Sequence, residues 1–580
     1  MEKINNFFKS KQNIYLCAII LLAVFLIFFR LTRADIQTDG AHYSLRAIGY
    51  LDLLLSQLQT TPIQWYGFVP WWGVLSFHDH PYLIFLIQHL FFNFFGISDF
   101  IALLPFALAG LGSVLLIYQI GKNIGGKNLG LLSALTLTIS TYFIWSSRIN
   151  FLEGIETFFI LLAVFAYQKF LADKKLFWFF GLSLGLSLVT KYTSFFLLPA
   201  IFFHLLISNR RLFKDYRLYL AALIALLIFT PTIIYNIMVY QTRGHFDLQF
   251  SAIFTGAREK AKAAWPVLLG EKQELNLWEN FKTTWTNLKV GYSYPFYYFL
   301  IISVFWLFAY FFYKFKDRLH LFLILCFVFL SLFFSLTGPN PRYEAIFTPL
   351  LALAAALFIF NIIKFFKDKK NLRPLLWLFI PICVLLGGAE LLFNFNTNHF
   401  KQKIGEVNIF YSNFRGENNG FRQLEKFISS TLSSDPNYSP KIVVPKNKQD
   451  LTVSLSNARD RNFYLYDSSL NWFSTTWYFQ RYLLYNDVFI AGDFDIALVL
   501  DYNQGWFNYF QNIGVRDLYF IKGAADFVYG ANLDPDRQEL SEKIEAAILK
   551  AKADGAPVEL TEIKNNQKQL SFKVYKLKLN

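Results

Sequence analysis

Nine apolar segments, each roughly as long as the 17 to 25 residues a helix needs to cross a bilayer, recur through residues 1–393 and are separated by loops rich in Lys and Arg. They run 13–31, 99–120, 128–147, 154–171, 218–236, 295–313, 319–336, 345–363 and 373–393. Backbone N–H and C=O groups find no water in hydrocarbon, so such segments fold as helices packed into a bundle. The chain is 55% hydrophobic and 19% aromatic with a mean hydropathy of +0.35, too apolar for an ordinary soluble domain. Its formal charge of +15 would suit a nucleic-acid binder if it lay on a soluble face. Here the Lys and Arg residues sit between the spans, as retention of basic loops in the cytoplasm requires. Nucleic acid is therefore not the expected partner; the lipid bilayer is.

Two further segments decide the topology. Residues 83–96 are short and interrupted by Gln88, His89 and Asn93, whereas 176–208 is too long for one simple span and contains Lys191 and Pro199. Placing the first in the interface, and folding the second into a hairpin of two short helices around Lys191, puts twenty basic residues of the short loops on one side. Six remain on the other: Arg30, Arg33, Arg46, Arg148, Lys191 and Arg342. Reading 83–96 as a span and 176–208 as a single helix would move Lys122, Lys127, Lys174 and Lys175 to the wrong side. The expected architecture is a polytopic α-helical membrane protein of eleven transmembrane helices in the cytoplasmic (plasma) membrane, with a cytoplasmic N-terminus. No small-residue cleavage site follows the first segment, so it reads as a retained helix.

Residues 394–580 differ in composition. Short β-like runs (441–444, 496–500, 518–521 and 570–575) alternate with turns and a helical stretch near 538–553, the pattern of a soluble α/β domain, extracytoplasmic by parity. The membrane module is then 1–393, with a first outer loop over 32–98 and another over 237–294. The latter's Phe246, Phe250, Phe254, Trp265, Trp278 and Trp285 among charges suit amphipathic helices on the leaflet. Cys17, Cys326 and Cys383 lie in apolar runs without metal-ligand spacing, so they read as core residues rather than a disulfide or zinc framework.

The parity argument gathers the polar boundary motifs on one face. A carboxylate beside hydrocarbon must stay hydrated or find a partner, since an ionised Asp at the centre of a membrane helix costs about 3 kcal/mol on insertion scales. Asp39, just after the first helix, is thus a site candidate. With it come His42, the run His78-Asp79-His80-Pro81, Arg148 and Glu153, Lys191, and Arg342-Tyr343-Glu344. Acids, bases and phosphate-binding side chains at one water–lipid boundary suit a reaction on a lipid-linked phosphate. Neither a Rossmann glycine fingerprint, a Walker loop nor HExxH occurs.

The order of these motifs resembles the C-type (GT-C) membrane glycosyltransferases of the protein O-mannosyltransferase and lipid A aminoarabinose transferase superfamily, over roughly residues 13–365. Asp39-Gly40-Ala41-His42-Tyr43 is similar to that family's Asp-Glu-x-x-Tyr, and His80-Pro81-Tyr82-Leu83 to its His-Pro-Pro-Leu. Leu104-Pro105 through Gly110 resembles its Arg-Leu-Pro segment, and Ser147-Arg148 with Glu153 its Ser-Arg-x-x-x-x-Asp. Gly185-Leu186 followed by Thr190-Lys191 resembles Gly-Leu-x-x-x-Thr-Lys, and Arg342-Tyr343 with Pro349 the late Arg-Tyr and Pro. The chain departs from the pattern at Gly40, Tyr82, Leu103 and Glu153.

The resemblance implies transfer of a hexosyl or pentosyl group, with inversion, from a polyprenyl-phosphate donor to an acceptor hydroxyl on the extracytoplasmic side, a reaction of the cell envelope. Asp39 would be the general base and Lys191 and Arg342 the donor-phosphate ligands, with Arg148 as a third cation and Glu153 as the second catalytic acid, both organising the site. His42, Tyr43, His80 and Tyr343 are candidate substrate contacts, and the acceptor is a protein, lipid or glycan. No cofactor is firmly implied. His78, Asp79 and His80, with His42 and Asp39, have the ligand types of a divalent-cation site, against a hydrogen-bonded turn before Pro81. Trp71-Trp72-Gly73 lacks the Asp and Tyr of the oligosaccharyltransferase motif and reads as an interfacial belt. The competing class is a transporter or lipid flippase, which would favour mid-helix charges and an internal repeat; only Lys191 was read as such a charge. A non-catalytic assembly subunit needs fewer spans than these.

Overall fold

The structure, a computed structural model, describes residues 11–55, 80–243, 246–247, 250–251, 276–313, 318–435, 438, 459–486, 488–497, 506–530 and 534–579. Its residues pack as two compact units: one of residues 1–31, 77–87 and 100–415, the other of 32–76, 88–99 and 416–580.

The first unit is helical, and eight of the described helices are long and apolar enough to cross a membrane; the protein is an integral membrane protein. Asp99–Ile139 is one of these, kinked where Gly126 adopts φ 81°. The kink separates the two spans expected over 99–120 and 128–147. The hairpin around Lys191 is present as Phe177–Leu188 and Leu197–Ser208. Each has twelve residues, about 18 Å at 1.5 Å per residue, which is short of a 30 Å hydrocarbon layer. The expected eleven crossings are therefore not reached on length alone. Leu83–Phe95 is likewise a short apolar helix of 13 residues.

Small residues bring helices together where lipid supplies no hydrophobic drive. A Cβ on Gly181 would meet the Ala221 carbonyl oxygen at 2.5 Å, and one on Gly185 would meet Ala225 Cα at 3.0 Å. Phe177–Leu188 thus lies directly against Tyr216–Arg243. Buried Glu390, in the helix Leu376–Asn398, ties three elements: its two carboxylate oxygens accept the backbone N–H groups of Thr141 and Ser293, each at 2.9 Å.

The second unit carries a five-stranded mixed sheet of β1 (Asn462–Tyr466), β2 (Phe489–Gly492), β3 (Asp517–Gly523), β4 (Val558–Lys564) and β5 (Leu570–Lys578), in the order β2-β1-β3-β5-β4. β1 runs parallel to β2 and β3, and β5 antiparallel to β3 and β4. Phe463, Leu465, Phe520, Ile544 and Ile548 belong to its core, so the helix Pro535–Ala553 packs its apolar stripe there. The expected strands near 518 and 570 are present. Asp493–Ala497 is helical where a strand was expected from 496, and 441–444 lies outside the described residues. The expected boundary at 394 also moves, because residues up to 415 pack with the first unit.

Candidate active site

Lys191 sits where the sequence breaks a helix. Thr190 turns its hydroxyl back onto the Ser187 carbonyl at 2.5 Å, the local bond by which Thr competes with helix propagation. Lys191 is then extended (φ −162°, ψ 149°), and Tyr192–Phe196 resumes as a 3₁₀ turn. The result is a cation almost wholly buried among apolar helices, with its side chain 2% exposed.

Residues of two elements meet around it. Glu153, in the first turn of Leu152–Ala172, takes Lys191 Nζ on Oε1 at 2.5 Å and lies 3.9 Å from Arg342 Nε through the same oxygen. Tyr343 places its ring 3.7 Å from Lys191 Nζ. Arg342, held by the turn in which Asn340 Oδ1 accepts its backbone N–H, lies 4.6 Å from the rings of both Phe151 and Tyr343. Its side chain is 14% exposed, so it is the cation of the pair nearer to solvent. Glu153, Lys191, Arg342 and Tyr343 are thus brought together as one cluster.

Its carboxylates are incompletely matched. Glu156, one turn beyond Glu153, accepts from Ser194 Oγ at 3.2 Å, and Glu344 accepts from Asn287 Nδ2 at 3.1 Å. Among the described residues Glu153 Oε2, Glu156 Oε2 and Glu344 Oε2 are buried with no hydrogen-bond partner. Unmatched buried oxygens are uncommon in native interiors, and each calls for a water, an ion, a ligand or a catalytic role. The same elements contribute to a small apolar cavity of about 30 Å³, lined among others by Thr157, Val164, Phe196, Phe322, Ile346 and Leu350.

Arg148 is bonded to main-chain carbonyls. Its Nη1 donates to the carbonyls of Leu26, Ile27 and Phe29, and its Nη2 to those of Arg30 and Asn398, at 2.7–3.3 Å. It caps the C-terminal end of the first helix, whose last carbonyls have no partner within the helix.

Asp39, His42 and Tyr43 belong to the second unit. Asp39 opens the helix Asp39–Leu55 and is half-buried. His42, one turn later, is buried edge-on to Trp472 with ring centroids 4.4 Å apart. Burial, reinforced by Arg46 and opposed by Asp39, pushes its imidazole down to about 3, so it is neutral at physiological pH. Tyr43 faces Arg46. His80 is buried in the first unit. His78, Asp79, Trp71 and Trp72 lie outside the described residues, as do Phe254 and Trp265. Among the described residues no three acid, His or Cys side chains gather as a metal would need. Within 276–294, the helix Leu277–Asn287 exposes Trp278, as an amphipathic segment should.

Glu156 and Glu390 escaped the sequence reading. The signal was available: both are carboxylates inside apolar helices, the placement that singled out Lys191.

Residues 79–235 match the family model described as dolichyl-phosphate-mannose-protein mannosyltransferase, a segment holding Glu153, Glu156 and Lys191. An uncharacterised protein of Aquifex aeolicus is 30% identical over 168 residues, 28% of this chain and 34% of that protein. YkcB of Bacillus subtilis, whose mannosyltransferase assignment is itself provisional, is 27% identical over 211 residues, 36% of this chain and 28% of its own length. The chain thus matches about a third of the length of these relatives. Among solved structures, the oligosaccharyltransferase of Archaeoglobus fulgidus in its apo form superposes with a TM-score of 0.51 at 13% identity, over 89% of this chain and 70% of that one. The fold is that of the C-type membrane glycosyltransferases. Residues 79–235 are similar to the mannosyltransferase family model.

Proposed function

We propose that the protein transfers a sugar from a polyprenyl-phosphate donor to an acceptor hydroxyl at the extracytoplasmic membrane face, with inversion. The observation that carries this reading is the cation pair Lys191 and Arg342, set among apolar helices whose own residues line an apolar cavity. A buried Lys with a neighbouring Arg is an anion-binding arrangement. The mannosyltransferase-family segment supports the same class.

In the reaction, the acceptor oxygen bonds to the anomeric carbon as the bond from that carbon to the phosphate oxygen breaks. Asp39 takes the hydroxyl proton, and Lys191 and Arg342 stabilise the charge arriving on the leaving phosphate. Glu153 orients the two cations. His42 and Tyr43 stand beside Asp39 on its helix as acceptor-side candidates, while Tyr343 and His80 are the candidates of the first unit. The N-terminus is cytoplasmic and the sheet-bearing unit extracytoplasmic in this reading. The acceptor is a protein, a lipid or a glycan.

The test is turnover of radiolabelled polyprenyl-phosphate sugars by the purified protein in nanodiscs, with a membrane extract as acceptor, for the wild type and Asp39→Asn. Transfer by the wild type that is lost in the variant, with folding and donor binding retained, is expected. Undiminished transfer by Asp39→Asn removes Asp39 from the mechanism. A folded wild type that consumes no donor but moves lipid across the bilayer would establish the transporter class instead.

A further inference from the structure

Glu153 stands where a donor phosphate would be expected. Its Oε1 lies 2.5 Å from Lys191 Nζ and 3.9 Å from Arg342 Nε, so one carboxylate is already lodged against both cations. It is 1% exposed, and its Oε2 has no hydrogen-bond partner among the described residues. A residue needed only as a counter-ion would be expected to use both oxygens, as Glu390 does in the same unit. A phosphate bound to the same Nζ comes within about 4 to 6 Å of this fixed negative charge, and at that range in a low-dielectric interior the repulsion is large.

Repulsion by a fixed charge is proportional to the charge of the ligand, and the two lipid phosphates of the proposed reaction differ in charge. The donor is a phosphodiester carrying one negative charge. The lipid product is a phosphomonoester, which carries about 1.5 to 2 negative charges at neutral pH because its second pKa is near 6. Two cations alone would hold the product more tightly than the donor, and the enzyme would stall on its own product. A carboxylate between them penalises the product up to about twice as strongly as the donor.

We infer that Glu153 is a charge-selecting residue that favours the singly charged donor and drives release of the polyprenyl monophosphate. Glu156 and Glu344 are the neighbouring carboxyls, but their described bonds go to Ser194 and Asn287 rather than to the cations. The selection therefore centres on Glu153. This rests on the donor reading above, and the probes are chosen so that the two fail separately.

The probes are a polyprenyl monophosphate and its monomethyl ester, which share a lipid and a phosphate and differ in charge. Their affinities are measured for the full-length protein in nanodiscs at neutral pH, for the wild type, Glu153→Gln and Glu153→Asp. The wild type should bind the methyl ester at least as tightly as the monophosphate. Glu153→Gln should tighten the monophosphate about tenfold more than the methyl ester, and Glu153→Asp should restore the wild-type order. An unchanged ratio in Glu153→Gln, or equal weakening of both lipids, makes Glu153 a structural counter-ion and overturns the inference. If Glu153→Gln does not fold, the wild-type ratio decides, a tenfold preference for the monophosphate being the refuting result. A wild type that binds neither lipid overturns the donor reading and this inference with it.

Discussion

Each unit buries a carboxylate paired with an Arg, and the two settings are finished differently. In the second unit Asp35 accepts from the Asn418 side chain at 2.7 Å and from the backbone N–H groups of Asn419, Phe421 and Arg422. Asp99 accepts from Trp477 Nε1 at 2.8 Å, Tyr478 Oη at 2.9 Å and Arg422 Nε at 2.6 Å. Both oxygens of both carboxylates are matched. In the first unit Glu153, Glu156 and Glu344 each keep one oxygen without a described partner. A fully bonded buried network fixes a single structure, whereas an incomplete one holds its polar atoms at a standing cost. The first arrangement is that of a structural joint; the second leaves carboxylate oxygens open in the region proposed as the donor site.

The comparison breaks most visibly at Lys191. Replacing it with Met leaves Glu153 buried without its cation, a loss of about 3 to 5 kcal/mol, and removes a phosphate ligand. Lys191→Met should therefore lower both thermal stability and sugar transfer. The double variant Lys191→Met/Glu153→Gln, with no charge left to compensate, should recover most of the stability and none of the transfer. Melting curves and turnover on the same nanodisc preparations read both quantities. Recovered transfer in the double variant would make the cluster structural, like that around Asp99.

At Asp99 the expectation is reversed. Asp99→Ala strands the Arg422 guanidinium, the indole N–H and a tyrosine hydroxyl, and should destabilise the second unit by about 3 kcal/mol. Protein that remains folded should bind the polyprenyl methyl ester as the wild type does. Chemical denaturation monitored by hydrogen exchange in 462–466 and 517–523 would locate the loss, and a changed lipid affinity in folded protein would contradict the structural assignment. Arg342→Gln is the milder probe of the first cluster. Its partly exposed guanidinium leaves no deeply buried charge behind, so stability should hold while the KM for donor rises about tenfold, one charge-assisted hydrogen bond being worth about 1.5 to 3 kcal/mol.

How much of this was legible follows the same division. Lys191 announced itself because an ammonium inside an apolar run is expensive wherever it sits, and the rule applied equally to Glu156 and Glu390, which were passed over. Arg148 was visible but not its acceptors, which are main-chain carbonyls more than a hundred residues away, and no residue type marks a carbonyl. Asp35 and Asp99 gave no signal, because their partners come from 418–422 and 477–478 through tertiary packing. Ile496 and Ala497 were expected to open a strand, since a short apolar stretch fits either element, and Asp493–Ala497 takes the helical one; 498–500 lie outside the described residues. The pair of short helices around Lys191 was legible from the length of 176–208 and the charge within it, and it is present as Phe177–Leu188 and Leu197–Ser208.

The smallest expected effect distinguishes the joint by pH. Burial pushes the Asp35 carboxyl up to about 6, with Arg422 opposing and Asp99 adding to the rise, against about 3.9 in an unfolded chain. The folded state thus binds this proton more tightly than the unfolded one. Its contribution to stability is fully present below about pH 4 and is lost as pH rises through about 6, opposite to a carboxylate held by an ion pair alone. Between pH 5 and pH 7 the second unit should lose about 1 kcal/mol from this group. In Asp35→Asn, which cannot titrate, that part of the slope should vanish, although the variant is less stable at every pH because an amide nitrogen cannot accept the N–H groups. Hydrogen exchange at Phe421–Ser433, the helix whose first turn Asp35 caps, reads the difference at a single element. A slope that persists in Asp35→Asn would assign the titration to another group, with Asp493, pushed up to about 7 by burial, the next to replace.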